Sequence, residues 1–151
     1  KEVRIHAYET GGPADDLTGE LRNRANLWRR VDGLSDEAAA NQIAADQTDV
    51  LIDLSGHTAG HRLGVMHRRP APVQMTWFGY PNTTGLASVD YRLTDGEADP
   101  PGVEDRYSER LIRLPRVAWV YQPTKISFQG NSRAVSSSVW QLLEHSAWIR
   151  L

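Results

Sequence analysis

The side chains best suited to bind a ligand lie in two short loops, each of which follows a largely apolar stretch. The first loop, residues 55–60, carries Gly56, His57 and Thr58. The second loop, residues 79–85, has a glycine at each end and two threonines between them. Backbone N–H groups and hydroxyls that converge in such a loop can bind a phosphate or a sugar hydroxyl. The second loop matches neither a P-loop nor a dinucleotide fingerprint, so a simple turn between two elements is the alternative interpretation.

Two histidines beside the first loop have a spacing that also occurs in zinc sites. His57 and His61 are four residues apart, which on a helix places two imidazoles on one face. His57 precedes the predicted helix, however, and the spacing supplies no carboxylate as a third ligand. We therefore predict no metal site, and we expect His57 to be a polar loop residue or a substrate contact.

Two charged residues flank the first loop, and each has a functional and a structural interpretation. Arg62 carries a guanidinium that suits phosphate or carboxylate recognition, although it also fits a solvated helix face. Asp53 is placed to orient a loop N–H group or a histidine, and a structural hydrogen bond is the more common use. We find no nucleophile elbow and no carboxylate pair placed to serve as acid and nucleophile.

Two predicted strands position these loops. Residues 50–54 and 73–78 are nearly continuous apolar runs, as expected of strands that are buried on both faces in the middle of a parallel sheet. Ligands of open α/β sheets bind in the crevice outside the carboxyl ends of the strands. We therefore expect both loops at one rim of the sheet.

The rest of the sequence predicts a sheet wound from βα units. A helix begins at Ser35, which supplies a capping hydroxyl, and its predicted buried stripe is Ala38, Ala39, Ile43 and Ala44. The other predicted elements are strands at residues 3–8, 89–95 and 110–114, helices at 16–29 and 61–68, and a helical turn at 107–110. This alternation predicts an α/β fold with a parallel sheet.

Length and composition exclude several classes of function. A chain of 151 residues fits one domain with its own core. With 17 basic against 19 acidic side chains, it has no broad positive field to attract nucleic acid. It has no cysteine, which suits a reducing compartment, and no apolar run near the ~20 residues of a membrane span. We expect a cytoplasmic protein with no nucleic-acid or membrane partner, and we expect this chain, which starts without methionine, to be a piece of a longer one.

Several segments resemble the catalytic region of the O-linked N-acetylglucosamine transferase family, in its SPINDLY type and particularly its bacterial members. The matching segments are residues 52–58 (IDLSGHT), 69–74 (RPAPVQ), 77–81 (WFGYP), 83–85 (TTG), 90–91 (DY), 94–95 (TD) and 107–109 (YSE). The resemblance extends over residues 1–123. Residues 124–151 do not share it, and their serine-rich and then apolar sequence is compatible with one amphipathic helix.

The resemblance implies a two-lobed, GT-B type glycosyltransferase with a Rossmann-like parallel sheet in its N-terminal lobe, of which residues 1–123 are a part. Members transfer N-acetylglucosamine from UDP-N-acetylglucosamine to Ser or Thr hydroxyls of proteins, without a metal or other cofactor, and usually carry tetratricopeptide repeats. The family's catalytic histidine and its UDP-binding lobe match no position of this chain. The resemblance therefore implies no catalytic residue here and an isolated chain that is inactive.

Matching positions imply two groups of site residues. On the donor-sugar side they are Phe78, Gly79, Tyr80, Pro81 and Thr84. On the acceptor side they are Gly56, His57, Thr58 and Arg62. A glycine at position 79 is expected to let the backbone approach the sugar closely. Phe78 stands where the family has leucine, and His57 stands where animal members have tyrosine. If the loops serve only folding or a protein partner, the alternative is a noncatalytic α/β binding or scaffolding module.

Overall fold

The computed structural model describes residues 3–119, and every strand pairing within them is parallel. In chain order the elements are β1 (His6–Glu9), α1 (Asp16–Arg24), β2 (Leu27–Arg30), α2 (Asp36–Ala45), β3 (Val50–Asp53), α3 (Leu63–His67), β4 (Val73–Thr76), β5 (Tyr91–Asp95), a 3-10 helix (Glu104–Arg106) and β6 (Arg110–Leu114). Parallel strands that alternate with helices confirm the predicted α/β fold.

The strands form two sheets in the described part of the chain. β1 pairs with β2, and the other sheet has the order β3-β4-β5-β6. Residues 5–9, which include β1, and residues 51–55, which include most of β3, line one cleft of about 650 Å³. β3 was expected to be buried on both faces, but Ile52 is 41% exposed and Leu54 is 58% exposed. That expectation is wrong because the described residues cover only one face of β3.

The predicted helix over residues 16–29 is correct only as far as Arg24. The backbone N–H of Asn26 donates to the Ile5 carbonyl at 2.8 Å, and the Asn26 Oδ1 accepts from the Ile5 N–H at 2.8 Å. The chain is thereby drawn alongside β1 and forms β2 in place of the last turn of the predicted helix. Pairing between the strands therefore outweighs the helical periodicity of residues 25–29. The helix that does form, α1, has no buried residue.

α2 lies against the sheets with a face that differs slightly from the predicted one. The predicted serine cap is confirmed, since its hydroxyl accepts from a backbone N–H of the first turn at 3.1 Å. Ala39 and Ile43 are buried as predicted, whereas Ala38 and Ala44 are exposed and Ala40 is buried in their place. These buried residues form one core cluster with a valine of α3 and a valine beside β2.

α3 is shorter than the predicted helix at 61–68, but its buried face is the predicted one. Leu63, Val65 and Met66 are all 6% exposed or less. Leu63 and Met66 join Val89 in a second core cluster. α3, which follows the first loop in the chain, therefore packs against the sheet with this face.

The central strands bury polar side chains, which the apolar pattern did not predict. In β4 the buried residues are Gln74 and Thr76, and in β5 they include Arg92 and Thr94, each 2% exposed or less. The Gln74 amide donates to two backbone carbonyls at 2.7 and 2.8 Å. A buried polar layer thus lies under the loops that follow these strands.

Two further predictions concern the carboxyl-terminal part of the chain. The helical turn predicted at 107–110 is wrong, because the turn is the 3-10 helix that ends at Arg106 and Arg110 already begins β6. The amphipathic helix predicted within 124–151 lies outside the described residues. Across residues 3–119, none of the helices combines the length and apolarity needed to cross a membrane.

We predict that Leu63→Ala lowers the free energy of unfolding by about 3 kcal/mol, because the truncation leaves a cavity between α3 and the sheet. Leu17→Ala is the matched control: the same atoms are removed from a helix, but Leu17 is 60% exposed, so the change should stay within about 0.5 kcal/mol. Urea unfolding of both variants measures the difference. Equal losses would contradict the described core.

Candidate functional site

The two loops come together at the carboxyl ends of β3 and β4. These strands are parallel neighbours, and their last residues, Asp53 and Thr76, are register partners. The chain therefore leaves both strands at one rim, where the first loop follows β3 and the second loop follows β4. This arrangement confirms the prediction that the loops share a rim of a parallel sheet.

Asp53 fixes the beginning of the first loop. Its carboxylate accepts from the backbone N–H groups of Ser55 at 3.1 Å and Gly56 at 2.8 Å. The same carboxylate accepts from the Thr76 hydroxyl at 2.9 Å, which ties the loop to the end of β4. Asp53 therefore orients N–H groups of the first loop, which is one of the roles predicted for it from the sequence.

Two glycines allow the loops to touch. Gly56 has a φ of +54°, in the left-handed region that favours glycine, and a Cβ atom there would overlap the Tyr80 Cβ atom. A Cβ atom on Gly79 would overlap the Leu54 carbonyl oxygen and lie 2.7 Å from the Ser55 Cα atom. The missing side chain of Gly79 therefore leaves space for the first loop. The sequence analysis had instead expected this glycine to leave space for a sugar.

His57 connects the first loop to the second. Its Nε2 lies 3.1 Å from the Thr84 carbonyl oxygen, and because a carbonyl only accepts, this nitrogen is the donor of the hydrogen bond. The imidazole packs edge-to-face on Tyr80 with centroids 5.1 Å apart, and the His61 ring lies 6.0 Å away. In residues 3–119, no group of three His, Cys, Asp or Glu side chains is placed to hold a metal ion.

The remaining residues of the predicted acceptor side make contacts within the protein. The Thr58 hydroxyl donates to the Ser55 carbonyl at 2.8 Å. The Arg62 guanidinium uses all three nitrogens: it donates to the Asp36 carboxylate at 2.7 Å and to two backbone carbonyls at 2.8 and 2.9 Å. Arg62 therefore ties the start of α3 to the start of α2.

Phe78 makes the turn from β4 into the second loop with a strained backbone. Its φ of +76° is rare for a residue other than glycine and costs about 1–3 kcal/mol. The side chain is nevertheless 45% exposed, and its ring packs edge-on against Trp77 at 5.6 Å. Strained residues of this kind cluster at active sites and ligand clamps, which supports a functional role for this rim.

The second half of the second loop is held by a buried carboxylate. Glu109, which is 4% exposed, accepts at Oε1 from the Thr84 N–H at 2.7 Å and from the Thr84 hydroxyl. Its Oε2 accepts from the Thr83 hydroxyl at 2.8 Å. Thr84 is therefore 4% exposed, with its side chain turned inward. Sequence reasoning missed this role of Glu109, although the residue stands in the YSE segment, because its partners are 25 and 26 positions away.

Both the sequence and the fold match known glycosyltransferases. The family model described as glycosyl transferase family 41 matches residues 24–139, well over half of the chain. This chain belongs to glycosyl transferase family 41. Relatives described as probable UDP-N-acetylglucosamine–peptide N-acetylglucosaminyltransferase SPINDLY are 42% identical to it over 125 residues in Solanum lycopersicum and 127 residues in Arabidopsis thaliana. These matches cover 80% and 82% of this chain but only 13% and 14% of the relatives.

A solved structure resembles the family 41 chain in three dimensions as well. An O-GlcNAc transferase from Thermobaculum terrenum, in a lysine-to-methionine variant, superimposes with a TM-score of 0.74 at 41% sequence identity. The match covers 76% of the family 41 chain and 22% of the solved one. It confirms the predicted Rossmann-like fold of the GT-B type, and the family 41 chain is one part of such a glycosyltransferase domain.

We predict that Glu109→Gln lowers the free energy of unfolding by about 1–2 kcal/mol. All three partners of the carboxylate are donors, whereas glutamine offers one oxygen and directs an NH₂ group at the Thr83 hydroxyl. Glu97→Gln is the control, since Glu97 is exposed on the turn that follows β5 and should change stability by less than about 0.5 kcal/mol. Urea unfolding distinguishes the two, and a Glu109→Gln protein as stable as the control would argue against the anchor.

Proposed function

We propose that this chain is part of an enzyme that transfers N-acetylglucosamine from UDP-N-acetylglucosamine to Ser or Thr hydroxyls of proteins. The supporting observation is the contact between the two loops at one rim, where His57 reaches the Thr84 carbonyl and packs on Tyr80. The chain spans 13% to 14% of the curated SPINDLY relatives named above. The reaction is accordingly proposed for a longer protein that carries this chain.

In this proposal residues 78–81 form a wall of the donor-sugar pocket. The exposed Phe78 ring supplies an apolar surface, and its strained backbone turns the chain across the rim of the sheet. Tyr80 and Pro81 continue this wall. Thr84 contributes by fixing the loop through Glu109 rather than by touching the sugar, because its hydroxyl is engaged inside the protein.

The first loop forms the acceptor side in this proposal. Gly56, His57 and Thr58 lie beside the donor-sugar wall through the contacts of Gly56 and His57 with Tyr80. Arg62 acts indirectly, because its guanidinium holds the end of the loop to α2. His57 in place of the tyrosine of animal members alters the surface that an acceptor peptide meets.

The chemistry explains why these loops provide walls and not the reacting groups. Transfer joins the acceptor oxygen to the anomeric carbon and breaks the bond from that carbon to UDP. The bonding electrons leave with the diphosphate, whose charge requires hydrogen-bond donors or cations, and the hydroxyl proton passes to a base. We assign those tasks to other parts of the longer protein, which in members of this family usually includes tetratricopeptide repeats. The absence of cysteine is consistent with a reaction in the reducing cytoplasm.

We predict that Gly79→Ala in the full-length protein lowers the rate of sugar transfer at least about tenfold, because the added Cβ atom pushes the two loops apart. Gly33→Ala is the matched control, since a Cβ atom there meets nothing within 4 Å. Transfer from UDP-N-acetylglucosamine to a Ser-containing peptide is measured for both variants, with circular dichroism to verify folding. Wild-type kinetics in a folded Gly79→Ala protein would remove the donor-sugar wall from the proposal.

We also predict that the isolated chain of residues 1–151 transfers no sugar, whereas the full-length protein binds UDP and transfers N-acetylglucosamine. Calorimetric titration with UDP and a radiolabelled transfer assay measure the two properties. A full-length protein without affinity for UDP would favour the noncatalytic binding module. Transfer by the isolated chain would show that the reacting groups lie within it.

A further inference from the structure

Arg92 is a charged side chain buried directly under the second loop, and sequence reasoning assigned it no role. It lies in β5 opposite Thr76, the last residue of β4, and only 1% of its surface is exposed. Burying a guanidinium is unfavourable unless its donors and its charge are compensated. The partners of Arg92 therefore indicate what the buried charge does.

Two of these partners are carbonyl oxygens of the second loop. The Arg92 Nη1 donates to the Tyr80 carbonyl at 2.9 Å and to the Asn82 carbonyl at 3.0 Å. These two carbonyls flank Pro81, so one nitrogen holds both sides of the turn. A single buried group thereby determines how far the turn extends from the sheet.

Asp99 holds the guanidinium in place. Its Oδ2 accepts from the Arg92 Nε at 3.3 Å, and its carboxylate also accepts from the hydroxyls of Thr94 and Tyr107. Burial raises the pKa of Asp99, but the hydrogen bonds from Thr94, Tyr107 and Arg92 outweigh burial and keep that pKa below its usual range. Asp99 thus remains the negative partner that Arg92 needs.

The turn held by Arg92 includes Tyr80, which is one of the contacts between the second loop and the first. Tyr80 packs on Gly56 and on the His57 ring. Glu109 anchors only the following residues, Thr83 and Thr84. Of these two buried residues, only Arg92 contacts the backbone on either side of Pro81.

We propose that Arg92 is a positioning residue for the donor-sugar pocket: from beneath the second loop it sets the place of the backbone from Tyr80 to Asn82. This inference rests on the proposed function, because the pocket is assigned there. Arg92 does not touch the substrate. It acts through the loop, so its loss should affect use of the sugar donor more than use of the acceptor.

The test uses Arg92→Met and Arg92→Lys in the full-length protein. Methionine removes both carbonyl contacts, whereas lysine keeps the buried charge beside Asp99 but lacks the reach of a guanidinium fork. Arg69→Met is the matched control, since Arg69 also donates to two backbone carbonyls and one carboxylate. These three partners lie just before β4 and β5, outside the second loop.

We expect Arg92→Met to raise the KM for UDP-N-acetylglucosamine about tenfold, as the loss of buried hydrogen bonds implies, with a smaller change in the KM for the acceptor peptide. Arg92→Lys should lie between Arg92→Met and the wild type. Hydrogen exchange measured by mass spectrometry should become faster across residues 79–85 in Arg92→Met. In Arg69→Met, both the KM for UDP-N-acetylglucosamine and the hydrogen-exchange rate of residues 79–85 should equal those of the wild type.

Three results would overturn the proposal, and they are distinguishable. Unchanged exchange of residues 79–85 in Arg92→Met would show that Arg92 does not hold the loop, whatever the function of the loop is. Faster exchange with an unchanged donor KM would show that the loop is held but is no donor-sugar wall, so the proposed function would fail as well. Equal effects of Arg92→Met and Arg69→Met would indicate general destabilisation. If Arg92→Met does not fold, the same criteria apply to Arg92→Lys.

Discussion

The parallel pairing of β3 with β4 controls the geometry of the candidate site, because it makes both strands end at the same rim. Asp53 and Thr76 are register partners, and the hydrogen bond between their side chains joins the two strand ends. A shift of one residue would turn every side chain of a strand to the opposite face of the sheet. The contact between the two loops therefore exists only in this register.

Buried polar groups convert this shared rim into a defined surface. Arg92, Asp99 and Glu109 are each 4% exposed or less, and between them they hold backbone groups along the second loop. Apolar side chains would fill the same space at lower cost in desolvation. Only hydrogen-bonding groups, however, can hold carbonyl and N–H groups at fixed distances. The chain thus has an apolar core around α2 and α3 and a polar layer under the loops.

Local patterns were sufficient for most of the fold and failed where distant pairing decides the structure. The cap of α2 and the buried face of α3 were predictable, because capping residues and periodicity act within a few positions. β2 was missed because it forms only by pairing with β1, some 20 positions earlier in the chain. The polar residues of β4 and β5 were missed because an apolar run does not reveal which of its members face the interior.

For the candidate site, residue identity and order were enough to locate both loops and, through the family motifs, to assign the chain to a glycosyltransferase family. Such motifs are contiguous, so they can be read without a fold. The three-dimensional arrangement was needed to show that Gly79 accommodates the neighbouring loop, that Thr84 turns inward to Glu109, and that Arg92 holds the turn around Pro81. Each of these contacts joins residues 10 to 25 positions apart, and only the folding of the chain into the sheet brings such residues together.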